Sequence, residues 1–404
     1  MIARMFNAHV LELPEARDVN QALQAVGVQA QGQPILRRKG LFRIVRLQGV
    51  GYREALIAKQ EMLGAGGDAA TPKGTVEFTS DEGDVILLGT PQHFKRFLSK
   101  MKHQPFRSAT LAAEVGEALT YYDREAYVLR FPGAKLPLSR TVVMGILNVT
   151  PDSFADGGQY DEPQAAIARA RAMVEEGAGL IDVGAESTRP GSDPVSAAEE
   201  WKRLEPVLAG VVDQVDVPVS VDTYKPETAA KALDLGVTMV NDVTGLRDPK
   251  MIDLVAQHDI PAVLMHMLGR PNAMQKNPEY DDVVADIVRF LRARVADATE
   301  GGIDPEKLVV DPGIGFGKTA EHNLQILRQL GAFRSLGRPI LVGVSRKSFL
   351  GKVLDAEVEN RLEGGLAAAV LAAHHGAHIL RSHDVKATVR ALAVADAIRG
   401  RGST

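Results

Sequence analysis

From Arg140 onward one rhythm of apolar and polar positions repeats: a short apolar run ends in polar residues and gives way to a helical stretch. The runs are Val142–Val149, Leu180–Glu186, Val217–Thr223, Thr238–Val243, Pro261–Met267, Leu308–Gly313, Pro339–Lys347 and His378–Val385. They are rich in Val, Ile and Leu without strict alternation, the pattern of parallel strands buried on both faces. Between them, Pro163–Gly177, Lys225–Gly236, Tyr280–Gly301 and Glu363–His375 carry apolar residues at helical spacing. Gly177, Gly236, Gly301 and Gly376 stand where such helices stop. Eight strand–helix units over residues 141–397 predict an α/β fold of the (β/α)8 TIM barrel type, whose usual size is ~250 residues. A doubly wound open sheet is the competing arrangement, but it more often has about six strands or fewer.

Residues 1–138 follow a different pattern, and Phe131-Pro132-Gly133-Ala134 with Pro137 marks the seam. Asp18–Val26, Tyr52–Leu63 and Leu111–Tyr122 read as helices and Leu41–Val50 as a strand. Thr75–Thr79 and Asp84–Leu88 read as a hairpin turning through Asp81-Glu82-Gly83, and Thr90-Pro91 opens a helix to Lys102. This mixed order predicts a small accessory α+β domain at 1–138 and the barrel at 139–404.

Charge and composition narrow the classes. The chain has 47 Lys+Arg and 51 Asp+Glu, a net charge of −4, so no global basic field points to nucleic acid. Residues 1–138 hold 18 basic and 14 acidic side chains, +4, which leaves 29 − 37 = −8 for the barrel. Basic clusters at Arg37, Arg38, Lys39, Arg43 and Arg46 and at Lys95, Arg96, Lys100 and Lys102 are read as a solvated face. The absence of cysteine excludes disulfides, thiolate zinc sites and cysteine nucleophiles. Met1–Pro14 lacks the features of a signal peptide. The longest apolar run, Leu366–Ala373, falls far short of a membrane span, which needs ~18 residues. A cytoplasmic protein with no membrane partner is expected.

The chemistry collects where the strands hand over to their loops, as barrel enzymes require. The first run ends in Asn148, ahead of Thr150, Asp152, Ser153 and Gly157-Gly158; the second holds Asp182 and leads to Glu186-Ser187-Thr188-Arg189. The others end in Asp222, Asn241-Asp242, His266, Asp311, Ser345-Arg346-Lys347 and Arg381-Ser382-His383-Asp384. Singly, each is best explained as a helix cap or loop ligand. Together they are not, because desolvating so many charges outweighs their mutual attraction. Arg189, Arg381, His383 and Lys347 suit phosphate oxygens, and the start of the last helix is a favoured anion site. Asp222, Asn241 and Asp311 suit a flat heterocycle with N–H donors along one edge. Asn148 offers a neutral oxygen to a hard cation such as magnesium.

The residues then resemble a known family. Met144-Gly-Ile-Leu-Asn-Val-Thr-Pro-Asp-Ser-Phe154 is similar to the first signature of the dihydropteroate synthases, and Asp182-Val-Gly-Ala-Glu-Ser-Thr-Arg-Pro-Gly191 to the second. Ser220–Thr223, Val240–Val243, Met265–Met267, Asp311–Lys318, Ser345–Ser348 and Arg381–Val385 continue the family order across about residues 140–395. Ala155 departs from the Ser usual in the first loop, and Ser382 from a common Val. The resemblance implies a transferase of folate biosynthesis that joins 6-hydroxymethyl-7,8-dihydropterin pyrophosphate to 4-aminobenzoate, releasing pyrophosphate. It implies Mg2+ as cofactor, small-molecule substrates, a homodimer, and a target of sulfonamides. Carried over by position, Asp222, Asn241, Asp311, Phe316 and Lys347 hold the pterin. Asn148, Arg189, Arg381 and His383 bind the pyrophosphate, with Asn148 also on the metal. Thr188 and Ser345 border the aminobenzoate. Asp222, Lys347, Arg381 and His383 carry the catalysis, by positioning and electrostatics without a covalent intermediate.

Alternatives are weaker. A pterin-binding methyltransferase shares the barrel but has no pyrophosphate to bind. A phosphate loop ending at Gly317-Lys318-Thr319 needs glycine at 312, where Pro312 stands. A non-catalytic binding protein on a degenerate barrel would show a damaged strand end, and none is damaged. His374, His375 and His378 read as helix-end histidines, not a metal site.

Overall fold

The computed structural model describes residues 8–13, 15–77, 79, 81–124, 126–149, 162–186, 195–269 and 278–399. They fall into two compact units, Met1–Leu119 and Thr120–Thr404.

In the first unit, strands β1 (Arg43–Gly51), β2 (Asp68–Ala70) and β3 (Glu82–Gly89) form an antiparallel sheet in the order β1-β3-β2. Helices α1 (Ala16–Ala25), α2 (Gln33–Gly40), α3 (Tyr52–Ala65), α4 (Lys73–Glu77), α5 (Pro91–Met101) and α6 (Ser108–Tyr122) accompany it. Ala58, Met62, Val85, Leu87, Phe94, Phe97, Met101 and Val115 form its core. The expected hairpin between Thr75–Thr79 and Asp84–Leu88 does not form. Instead β3 pairs with β1 and with the short β2, and the helical turn α4 occupies the earlier segment after Pro72. Proline presets the backbone angle of a helical first turn, and this segment has little apolar surface to hold it in a sheet.

The second unit begins with the hairpin β4 (Val128–Phe131) and β5 (Ala134–Pro137), where the sequence pattern marks a seam. Eight parallel strands follow: β6 (Val142–Asn148), β7 (Leu180–Gly184), β8 (Val219–Asp222), β9 (Met239–Asp242), β10 (Ala262–Met265), β11 (Leu308–Asp311), β12 (Leu341–Gly343) and β13 (Ile379–Ser382). They neighbour one another in chain order, and a parallel bridge between Val310 and Ile340 closes the ring. Between them run α7 (Glu162–Glu175), α8 (Ala197–Gln214), α9 (Pro226–Asp234), α10 (Pro249–His258), α11 (Val283–Glu300), α12 (Ala320–Arg328), α13 (Ser348–Leu354) and α14 (Leu362–His374), and α15 (Val385–Ile398) follows β13. This is the expected TIM barrel. Each strand is shorter than its apolar run, because the polar residues at its carboxyl end already belong to the loop. After α11 it is Gly302, not Gly301, that takes the left-handed backbone (φ +95°).

Alternation along each strand builds the interior in layers. The lowest contains Met144, Leu180, Met239, Val263, Val309, Leu341 and Ile379, and Tyr127, Leu129, Phe131 and Leu138 from the hairpin region pack against them as a floor. Two positions further along four of these strands, the inward side chains change to Asp182, Asn241, Asp311 and Arg381.

Candidate functional site

That change of polarity, one pleat above an apolar floor, makes the site. Asp182 is fully buried, and its Oδ2 accepts from Asn241 Nδ2 (2.9 Å) and from Arg381 Nε (2.6 Å). Arg381 Nη2 donates to Asp222 Oδ2 at 2.7 Å. One guanidinium therefore spans two carboxylates across the barrel mouth. Burial pushes the Asp222 carboxyl up to about 7; Arg381 pulls it down and Asp182 pushes it further up. Burial alone would lower the Arg381 pKa, but Asp182 and Asp222 hold it above the ordinary arginine value. Burial also pushes Asp311 up to about 6, although the Gly313 N–H donates to its Oδ1 at 2.7 Å and Lys347 lies nearby.

Beside these polar groups lies an apolar wall. Val243, Met265 and Met267 form a small cluster with Tyr224 and Phe316 packed against it. The Phe316 ring is faced by Lys347 Nζ at 4.3 Å, in cation–π contact. Buried acceptors and an aromatic wall thus stand side by side, a chemistry suited to a flat ring with N–H donors on its edge.

At the ends of β12 and β13 the character changes again. Ser345 Oγ accepts from the His383 backbone N–H (3.2 Å) and lies 3.1 Å from His383 Nδ1. Burial, then the charges of Arg381 and Arg346, pushes the imidazole down to about 3. His383 is therefore neutral at pH 7, and would meet phosphate oxygens as an uncharged donor. The Ser345 hydroxyl thus holds both the backbone and the ring of His383, and the neutral ring offers one N–H.

The structure thus brings together Asp222, Asn241, Asp311, Phe316, Lys347 and Arg381, with Ser345 and His383 paired on the adjoining strands. Asn148, half-buried, ends β6 opposite Gly184. Thr188 and Arg189, with Thr150, Asp152, Ser153, Gly157 and Gly158, lie outside the described residues. Two residues of the mouth had no assigned role: Asp182, an acid inside the apolar stretch Leu180–Gly184, and Lys318, which is buried and donates to the Phe316 carbonyl. The first was legible as the one charge within an otherwise apolar stretch.

Other strand-end groups do the local work of caps and clamps. Asp242 accepts from Thr244 N (2.7 Å), Thr244 Oγ1 (2.7 Å) and Leu246 N (3.1 Å), closing the loop after β9. Glu186 accepts from Tyr224 OH (3.0 Å) and pairs with Lys225. Arg346 reaches Asp384 Oδ1 at 2.7 Å. Among the described residues, no group of three or more His, Asp or Glu side chains is placed to hold a metal. Asn148 offers a single neutral oxygen, which fits a magnesium ion carried in with phosphate and water and not a preformed protein cage.

Residues 144–383 match the profile of the pterin binding enzyme family. The dihydropteroate synthase of Escherichia coli strain K12 is 46% identical over 265 residues, 66% of this chain and 94% of that one. A probable bifunctional folylpolyglutamate synthase/dihydropteroate synthase of Halobacterium salinarum is 42% identical over 387 residues. That alignment covers 96% of this chain, and so extends into the first unit, but only 46% of the relative. Among solved structures, Xanthomonas albilineans dihydropteroate synthase with 4-aminobenzoic acid superposes with a TM-score of 0.65 at 47% identity, covering 68% of this chain and 98% of that one.

Proposed function

This chain belongs to the dihydropteroate synthases among the pterin-binding enzymes, and we propose that it performs their reaction with the polar layer of its barrel mouth. It is a transferase of folate biosynthesis. The amine of 4-aminobenzoate attacks the methylene carbon of 6-hydroxymethyl-7,8-dihydropterin pyrophosphate. The C–N bond of 7,8-dihydropteroate forms as the C–O bond to pyrophosphate breaks, and the amine loses a proton to water.

The observation that carries the assignment of residues is the ring of buried acceptors. Asp222 and Asp311 each have one oxygen engaged, by Arg381 and by the Gly313 N–H, and Asn241 gives its amide N–H to Asp182. The oxygens left over are acceptors that a ring edge bearing amino and ring N–H groups satisfies together. Phe316 and the Lys347 stem flank the ring faces. As the leaving group departs, positive charge on the methylene is shared with the ring. Asp222 and Asp182, already positioned, stabilise that charge with no further reorganisation. Arg381 and a ring N–H of the neutral His383 serve the oxygen that gains negative charge, and Arg189 and Thr188 serve the diphosphate and aminobenzoate from the second loop. Ser345, at the border of the aminobenzoate position, holds the His383 ring through Nδ1. The aromatic amine is neutral and nucleophilic at pH 7, so no strong base is required.

Mg2+ held with Asn148 would neutralise charge on the departing diphosphate. We further assign the first unit an accessory role, and the assembly as a homodimer in the cytoplasm. Leu371 on α14 and Val394 and Ile398 on α15 are exposed apolar side chains, the kind of surface a subunit contact covers. Among the described residues no helix is long and apolar enough to cross a membrane.

The test is pyrophosphate release by the purified protein with dihydropterin pyrophosphate, 4-aminobenzoate and Mg2+, each omitted in turn. Release is expected only with both organic substrates present, yielding dihydropteroate. Turnover that persists without 4-aminobenzoate would overturn the assignment.

A further inference from the structure

Lys318 plays no part in the chemistry above, yet it is one of the few fully packed charges in the barrel. Its side chain is buried, and its Nζ lies 3.0 Å from His266 Nδ1, 2.9 Å from the Phe316 carbonyl oxygen and 3.4 Å from the His266 carbonyl oxygen. An ammonium has three N–H donors, and here three acceptors surround it. His266 is held neutral by burial and by the charges of Lys318 and Arg247, so its Nδ1 is free to accept.

The loop it serves has little other freedom. A Cβ on Gly313 would stand 1.9 Å from the His266 carbonyl oxygen, so residues 312–317 run hard against the end of β10. Asn323 Oδ1 accepts from Gly315 N (2.8 Å), and Tyr280 OH donates to the Gly317 carbonyl (2.9 Å). Within that frame Lys318 ties the backbone of Phe316 to β10, while the Phe316 ring faces Lys347.

We propose that Lys318 is a positioning residue for the pterin: it fixes Phe316 as a wall of the ring slot and holds a positive charge behind the Asp311 carboxylate. The proposal rests on reading the mouth as the pterin site. The groups whose charge acts on Asp311 are Lys318 on its own loop, Lys347 at the start of α13 and Arg381 on β13. Those acting on Lys318 are Asp311 and Lys347, and the His266 ring beside it is neutral. Burial lowers the Lys318 amine to about 7, against the pull of Asp311. Its charge therefore depends on this carboxylate, and the carboxylate's on it.

The experiment is calorimetric binding of 6-hydroxymethyl-7,8-dihydropterin to the full chain between pH 5 and 8, alongside KM for 4-aminobenzoate. Lys318→Met keeps the stem and removes charge and donors. It should weaken pterin binding about tenfold or more, as misplacement of a slot wall does, while KM for 4-aminobenzoate stays within about twofold. Loss of the positive neighbour raises the Asp311 pKa, so the acid limb of pterin binding should move up by about half a pH unit or more. Lys318→Gln retains a donor for the Phe316 carbonyl but no charge, and should shift the limb as far with a smaller loss of affinity. Should the Met variant fail to fold, the Gln variant decides alone. Unchanged affinity and an unchanged limb in a folded variant would overturn the proposal and leave the pterin site standing. A wild-type protein that does not bind the pterin would overturn both.

Discussion

At the scale of single residues, the mouth shows how a site is kept poised at the expense of the fold. Asp311 has its pKa raised from 3.8 to about 6, with burial as the cause. The sign follows: the folded state holds a proton that the unfolded state has released, so stability falls as the pH rises from about 4 through 6 and is lowest above it. A ligand that donates hydrogen bonds to the carboxylate reverses this by favouring the ionised form. Asp311→Asn should therefore stabilise the ligand-free protein at pH 7.5 by about 1–3 kcal/mol, visible as a higher Tm. The same variant should lose pterin affinity by about tenfold or more, since Asn presents an N–H where the ring needs an acceptor. A destabilised variant, or one that binds pterin as well as wild type does, would contradict the role. Asp222, Asn241 and Asp311 were legible in the sequence as polar ends of apolar strands. The neutrality of His383 was not, because it follows from burial and from Arg381 and Arg346, whose positions only the closed ring defines.

At the scale of elements, the hairpin of β4 and β5 is the clearest difference between pattern and structure. Its turn at Phe131–Ala134 looks like a boundary because proline and glycine interrupt both strands. In space, Leu129, Phe131 and Leu138 lie against Met144, Leu180 and Val309 and seal the barrel from below. Its four-residue strands carry too few alternating positions to mark it as a strand pair. Leu129→Ala is expected to cost about 2–5 kcal/mol of stability through the cavity it leaves in a fully buried site. Denaturant unfolding measures the loss, and KM for the pterin substrate should be unchanged, since the floor lies on the opposite end of the strands from the mouth. A loss under about 1 kcal/mol would show that the hairpin only covers the floor and does not seal it.

At the scale of the whole molecule, the compact units divide at Leu119/Thr120, ahead of the hairpin. A chain beginning at residue 120 retains the floor, whereas one beginning at 136 loses Tyr127, Leu129 and Phe131 from beneath the barrel. If the first unit is accessory, the chain from 120 should fold and form dihydropteroate with kcat and KM within about twofold of the full chain. A folded but inactive barrel would show that the first unit contributes to the site.

What the sequence determined by itself was the barrel and the polar character of its strand ends. Parallel strands buried on both faces leave long Val, Ile and Leu runs, and polar residues ending all eight of them gather at one rim of the barrel. What it left open was everything that depends on which side chains meet across the ring. Arg381 between Asp182 and Asp222, Ser345 on His383, and Lys318 on His266 join residues far apart in the chain. Their protonation is set by burial, and burial exists only once the ring has closed.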